Sequence, residues 1–191
     1  MRVKLGVLQK PDMPKMVEPI FNSTSCLYLR INRATPYITF LGFTVSACQC
    51  RPQSRGSIHI QSADPREQAA IKTNYLSQDL DLDTLVDGLK MARDIYKQKS
   101  FQNLWVEEVL PGQDELGSFA RNKGGTVYHP TSTCRMGDDD LSVVDSSLRV
   151  RGVNNLRVID ASVMPNVISA NTNAASIMIG EKGADLIMNA K

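Results

Sequence analysis

The C-terminal part of this chain holds a strand, a loop and a helix that cannot make a finished fold by themselves. Residues 148–165, "LRVRGVNNLRVIDASVMP", read as two short strands. The second, "LRVID", is a compact apolar run of the kind found in a parallel sheet covered on both faces. Residues 171–191, "NTNAASIMIGEKGADLIMNAK", open with Asn and Thr, which suit a helix start, and continue with Ala, Ile, Met and Leu in helical register. A strand, a loop of Ser, Met, Pro and Asn, and a helix whose N-terminus points back at that loop is how α/β folds build ligand sites. One strand and one helix leave sheet faces open. This unit therefore needs strands that the 191 residues do not contain.

Upstream the texture differs. Residues 35–50, "TPYITFLGFTVSACQC", are rich in aromatic and β-branched side chains, and 51–65, "RPQSRGSIHIQSADP", follow with turn residues around "GSIHI". These predict two neighbouring strands of an antiparallel sheet, with "AAIKTNYL" as a further strand. Between residues 77 and 100, Leu82, Leu85, Val86, Leu89, Ala92, Ile95 and Tyr96 fall at helical spacing. Asp79, Asp81 and Asp83 suit the positive end of that helix dipole, and Lys97 and Lys99 the negative end. Residues 111–122, "PGQDELGSFARN", predict a shorter helix. The first 34 residues carry little signal and are compatible with the start of the same sheet. The fold class is α+β: an antiparallel-sheet portion with helices, then a fragment of an α/β unit.

With 42% hydrophobic residues, the chain can form one good core or two small ones. Its 22 basic and 20 acidic residues, without a Lys or Arg run, carry no footprint for nucleic acid or an anionic membrane, so a small neutral partner is expected. No stretch of 18 apolar residues occurs, and "MRVKLGVLQKPDMPKM" meets charge and proline before a signal-peptide core can form. These features assign no localisation. Cys26, Cys48, Cys50 and Cys134 lack the C-x-x-C and H-x-x-x-H spacings that complete a tetrahedral zinc site, so buried reduced thiols are expected and no metal.

One of only two histidines lies in "GGTVYHPTSTCRMG", residues 124–137. Taken by itself, His129 reads either as a histidine satisfied in a turn or as a proton acceptor near neutral pH. Asn171 reads as a helix cap, and Asp160 as a turn or cap residue. His59, in "SIHIQ", alternates with apolar neighbours on a strand. Trp105 and the methionines Met164, Met178 and Met188 read as core. Cys134 has no identifiable base beside it and reads as packing rather than as a nucleophile.

"HPTSTCRMG", followed by "VVDSSLRVRGVNNLRVIDASVMPNVISANTNAASIMIGEKGADLI", closely resembles the C-terminal signature of the glucose-methanol-choline (GMC) family of FAD-dependent alcohol oxidoreductases, in its choline dehydrogenase-like branch. "RPQSRGSIHIQSADP" and "IKTNYLSQDLDLDTLVDGLKMARDI" resemble that family's substrate-domain strands and helix, so the likeness covers residues 35–189. It implies a substrate-binding portion over 1–123, an active-site segment over 124–147, and the C-terminal piece of a Rossmann-like FAD-binding domain over 148–191. The family's G-x-G-x-x-G loop, which brings backbone against the cofactor pyrophosphate, is absent from this sequence. The chain thus resembles the C-terminal portion of a longer flavoenzyme and needs the remainder of its FAD domain.

The resemblance also assigns roles. His129 matches the histidine that faces the flavin. Removing the hydroxyl proton of an alcohol eases hydride departure, and an imidazole can take that proton or, once charged, stabilise the alkoxide. Asn171 matches the second catalytic position, where an amide orients the alcohol without titrating. Asp160 and Ala161 match positions near the ribityl and pyrophosphate region of FAD. Asn171, Thr172 and Asn173 match a helix start whose N–H groups approach the electron-rich pyrimidine edge of the flavin. The implied reaction is hydride transfer from a CH–OH donor to FAD, giving an aldehyde or ketone. The alternative is a non-catalytic remnant or binding module without the pyrophosphate loop. No anionic cage or aromatic box nominates one alcohol over another, or oxygen over another electron acceptor.

Overall fold

A computed structural model describes residues 2–9, 20–22, 25–32, 42–103, 105–113 and 115–189, with backbone alone described up to residue 43 and at Trp105. The elements in chain order are β1 (Arg2–Gln9), β2 (Ile20–Asn22), β3 (Ser25–Asn32), β4 (Gly42–Gln49), β5 (Ser57–His59), β6 (Ala70–Lys72), α1 (Asp79–Tyr96), β7 (Trp105–Leu110), α2 (Leu116–Lys123), a 3-10 turn (Ala161–Val163) and α3 (Asn173–Met188). The protein is α+β and divides into two compact units, residues 1–55 with 74–127 and residues 56–73 with 128–191.

The first unit is built on a five-stranded sheet in the order β2-β3-β4-β1-β7, antiparallel throughout. The β-branched and aromatic run "GFTVSACQ" places β4 at its centre, where it pairs with β3 from Ser25↔Gln49 to Asn32↔Gly42 and with β1 from Arg2↔Cys48 to Leu8↔Gly42. Val45 and Ala47 of β4 pack with Leu85, Leu89, Ala92 and Tyr96 of α1 and with Leu116, Phe119 and Ala120 of α2. Gly88 lets α1 settle on the sheet, because a Cβ there would lie 2.8 Å from that of Ala47. A forked ion pair ties α1 to β7: Arg93 donates to Glu108 at 2.7 Å through Nη2 and 2.9 Å through Nε.

Asp81 does more than favour a helix dipole. Buried in the first turn of α1, its carboxylate accepts from the backbone N–H of Gln53 at 2.9 Å and of Ser54 at 2.7 Å, and from the Ser54 hydroxyl at 2.5 Å. It thereby fixes the chain as it leaves β4.

The expected adjacency of "GSIHI" to β4 is not what forms. Both edges of β4 are taken by β1 and β3, so β5 pairs instead with β6 in a separate two-stranded sheet of the second unit. Gly56 permits that hairpin, since a Cβ there would run into the carbonyl oxygens of Lys72 and Thr73. The expected 35–50 strand is seen as β4; residues 35–41 lie outside the described set. The two upstream helices form as α1 and α2, whereas β7 had no sequence expectation.

In the second unit Val144, Leu148, Val163, Met164 and Ile179 make a small core, flanked by half-buried Val158, Ile159 and Leu186. "LRVID" joins it without a ladder. Among the described residues the segment makes a single antiparallel bridge, Arg149↔Arg157, because a lone strand has no sheet to enter. The helix expected at 171–191 is α3. Gly183 lies so near Ile159 that a Cβ would collide with that side chain. Of the three methionines expected in the core, only Met164 is buried; Met178 and Met188 are 59% and 77% exposed, with Ile177 and Ile187 beside them. The apolar side chains of α3 outnumber those that the small core of this unit covers. His59 is exposed on β5. Cys48 and Cys50 are buried beside Val127, their thiols directed at the backbone oxygens of Gln49 and Cys48, Cys134 is half-buried, and Cys26 lies outside the described side chains. No cluster of metal-ligating side chains occurs among the described residues, and no described helix is long and apolar enough to cross a membrane.

Candidate active site

His129 occupies an irregular segment with unusual backbone on both sides. Tyr128 (φ +61°) and Ser132 (φ +72°) are left-handed although neither is glycine, a conformation that costs free energy and persists only where the surroundings enforce it. The enforcement is visible next along the chain. Cys134 N–H donates to Ser162 O at 3.0 Å and Met136 N–H to Val163 O at 2.8 Å, pinning this segment alongside the 3-10 turn. Beyond it, Arg135 forks onto Asp139 with contacts of 2.8 and 2.5 Å, which holds the Asp139 carboxyl well below the usual carboxylate range. Asp145 accepts the N–H groups of Arg149 and Ser147 at 2.9 and 2.8 Å, which together with the Arg149 guanidinium lower its pKa and close the turn before Val150.

Two residues from the start of α3 meet the half-buried imidazole. His129 Nε2 lies 3.0 Å from Asn171 Oδ1, and Nδ1 lies 3.0 Å from Thr172 Oγ1. Side chains 42 and 43 residues apart in sequence are thus in direct contact. Asn171 is exposed, whereas His129 and Thr172 are half-buried.

The other sequence-predicted residues are placed as follows. Asp160 accepts Ser162 N–H at 2.7 Å and so caps the 3-10 turn, whose first residue, Ala161, is half-buried. Asn173 is exposed as the first residue of α3, a helix that no side chain caps, leaving N–H donors and the positive end of its dipole at that terminus. Sequence reasoning assigned only a backbone role to Thr172 and missed its hydroxyl on His129, since nothing in local periodicity links positions 129 and 172.

Comparison with known proteins agrees with this architecture. Residues 52–180 match the C-terminal GMC oxidoreductase family model, and the chain belongs to that family. It is 43% identical over 152 residues to an alcohol dehydrogenase [acceptor] of Pseudomonas putida, covering 77% of this chain and 28% of that protein. It is 44% identical over 151 residues to an oxygen-dependent choline dehydrogenase of Citrobacter koseri, covering 76% and 27%. A solved structure of an Aspergillus oryzae formate oxidase variant, which concerns FAD modification in that enzyme, superposes with a TM-score of 0.72 at 33% identity, covering 81% of this chain and 28% of that one. The chain therefore spans 27–28% of the length of these curated relatives.

Proposed function

We propose that this chain is part of an FAD-dependent oxidoreductase that removes a hydride from a primary or secondary alcohol and yields an aldehyde or ketone. The observation that carries the reading is the 3.0 Å contact between His129 Nε2 and Asn171 Oδ1, which puts a proton acceptor and an amide within reach of one substrate oxygen. A donor hydroxyl entering between them gives its proton to Nε2 and receives a hydrogen bond from the Asn171 amide. That bond fixes the hydroxyl-bearing carbon in one orientation. The imidazolium so formed stabilises the developing negative charge on oxygen.

The donor set at the start of α3 fits a flavin. Uncapped N–H groups at a helix N-terminus favour an electron-rich ring edge, and Asn171, Thr172 and Asn173 stand there. With Asp160 and Ala161 these residues would hold FAD, which when bound supplies the two-electron acceptor. On this reading residues 1–123 belong to a substrate-binding portion, 124–147 bring in the proton acceptor, and 148–191 complete a cofactor domain whose pyrophosphate loop is supplied by further polypeptide. The shortness of the chain beside its curated relatives supports that division.

The test uses the flavoenzyme containing this chain and its cofactor domain. Replacing His129 with Ala is expected to slow anaerobic flavin reduction by about 10²–10⁴ in stopped flow, the scale of one positioned acid or base. Asn171→Ala should cost less. Reduction rates unchanged by His129→Ala would refute the assignment.

A further inference from the structure

Thr172 stands at the N-cap of α3, where a threonine hydroxyl ordinarily accepts an N–H of the first turn. Here it does not. Its φ of −71° and ψ of −9° are already helical, and the helix has no side-chain cap. The hydroxyl is turned onto the ring of His129, 3.0 Å from Nδ1, so a capping residue has given up its usual bond for a contact 43 residues away.

The chemistry of the two partners differs in a useful way. The Asn171 oxygen only accepts, so in the resting arrangement Nε2 carries the ring hydrogen and Nδ1 takes a hydrogen bond from the Thr172 hydroxyl. For Nε2 to receive a substrate proton, the neutral ring must carry its hydrogen on Nδ1 and the alcohol must replace Asn171 at Nε2. The cation that results carries hydrogens on both nitrogens. A carboxylate or carbonyl at Nδ1 would accept only, favouring one tautomer, and an ammonium would donate only. A hydroxyl does both by rotating about its Cβ–Oγ1 bond.

We propose that Thr172 is the positioning residue of His129: its hydroxyl holds Nδ1 in every protonation state, donating in the resting tautomer and accepting in the reactive one, so Nε2 stays aimed at the donor oxygen. The consequence for catalysis rests on the function proposed above. The hydrogen bond is testable without flavin or substrate.

The sequence has only two histidines, so a chain labelled with 15N-histidine shows two imidazoles, and His59→Gln assigns them. Solid-state 15N spectra tolerate association of the chain and separate protonated from unprotonated ring nitrogens. Recorded about two pH units above the ordinary imidazole range, the wild-type spectrum is expected to show one dominant tautomer for His129, with Nδ1 unprotonated. Thr172→Val should move the unprotonated Nδ1 resonance toward that of a nitrogen accepting no hydrogen bond, with Nε2 still carrying the ring hydrogen, and Thr172→Ser should restore it. If far-UV circular dichroism shows that Val disturbs α3, Thr172→Ala replaces it in the same comparison. A hydroxyl-free variant with an unchanged His129 spectrum, or Thr172→Ser behaving like it, would overturn the proposal. A spectral change on losing the hydroxyl together with unaltered flavin reduction by His129→Ala would keep Thr172 as the holder of the ring and remove the catalytic reading instead.

Discussion

Replacing Asp81 with Asn keeps the shape of the buried side chain and removes its charge. The carboxylate accepts Gln53 N–H at 2.9 Å on one oxygen, and Ser54 N–H at 2.7 Å and the Ser54 hydroxyl at 2.5 Å on the other. In Asn one of these oxygens becomes an NH₂ facing a backbone donor, while the remaining oxygen keeps only neutral hydrogen bonds. Bonds to a charged acceptor are worth about 1.5–3 kcal/mol each and neutral ones about 1, so the expected loss is about 3 kcal/mol. The pH dependence follows from the direction of the shift. Burial pushes the Asp81 carboxyl up, and bonds from Ser54, Gln53 and Gln49 outweigh it, leaving the pKa below its ordinary value. A depressed carboxylate stabilises the fold fully above its unfolded pKa of about 3.9 and loses that contribution as pH falls through the folded value. Urea unfolding followed by fluorescence of Trp105, the single tryptophan, on β7 of the same unit, reads the effect. The gap between wild type and Asp81→Asn should be largest near neutrality and shrink below about pH 4. A neutral-pH difference under about 0.5 kcal/mol, or a gap that widens on acidification, would refute the reasoning.

Two further outcomes concern the second unit. Gly183→Ala gains about 1 kcal/mol of helix propensity and loses about 1–3 to crowding against Ile159, so thermal unfolding should show net destabilisation. In an Ile159→Ala background the sign should reverse; the same loss in both backgrounds would mean that Ile159 is not the obstacle. Expressed alone, the 191-residue chain should bind no FAD saturably in the micromolar range by flavin fluorescence titration, because the G-x-G-x-x-G loop that grips the pyrophosphate is absent. It should also self-associate through exposed Ile177, Met178, Ile187 and Met188, which light scattering would detect.

What the sequence determined by itself was local or compositional. Helix periodicity over 82–96 marked α1, and the Asn-Thr start and apolar register marked α3. The motif around His129 and the run from "VVD" to "ADLI" carried the family. Tertiary structure decided what depends on partners distant in sequence. β4 pairs with β1 and β3 rather than with the strand that follows it, because a sheet edge is filled by whichever chain satisfies its N–H and C=O groups, not by the next segment. "LRVID" has strand composition and no ladder, because hydrogen-bond partners, not β propensity, make a strand. Met178 and Met188 looked like core residues, yet burial is a property of neighbours and α3 has them on one side only within its unit. The Thr172 hydroxyl turned away from its own helix for the same reason. A rotatable donor-acceptor bonds whichever group the fold brings within 3.0 Å, and that group was an imidazole 43 residues earlier in the chain.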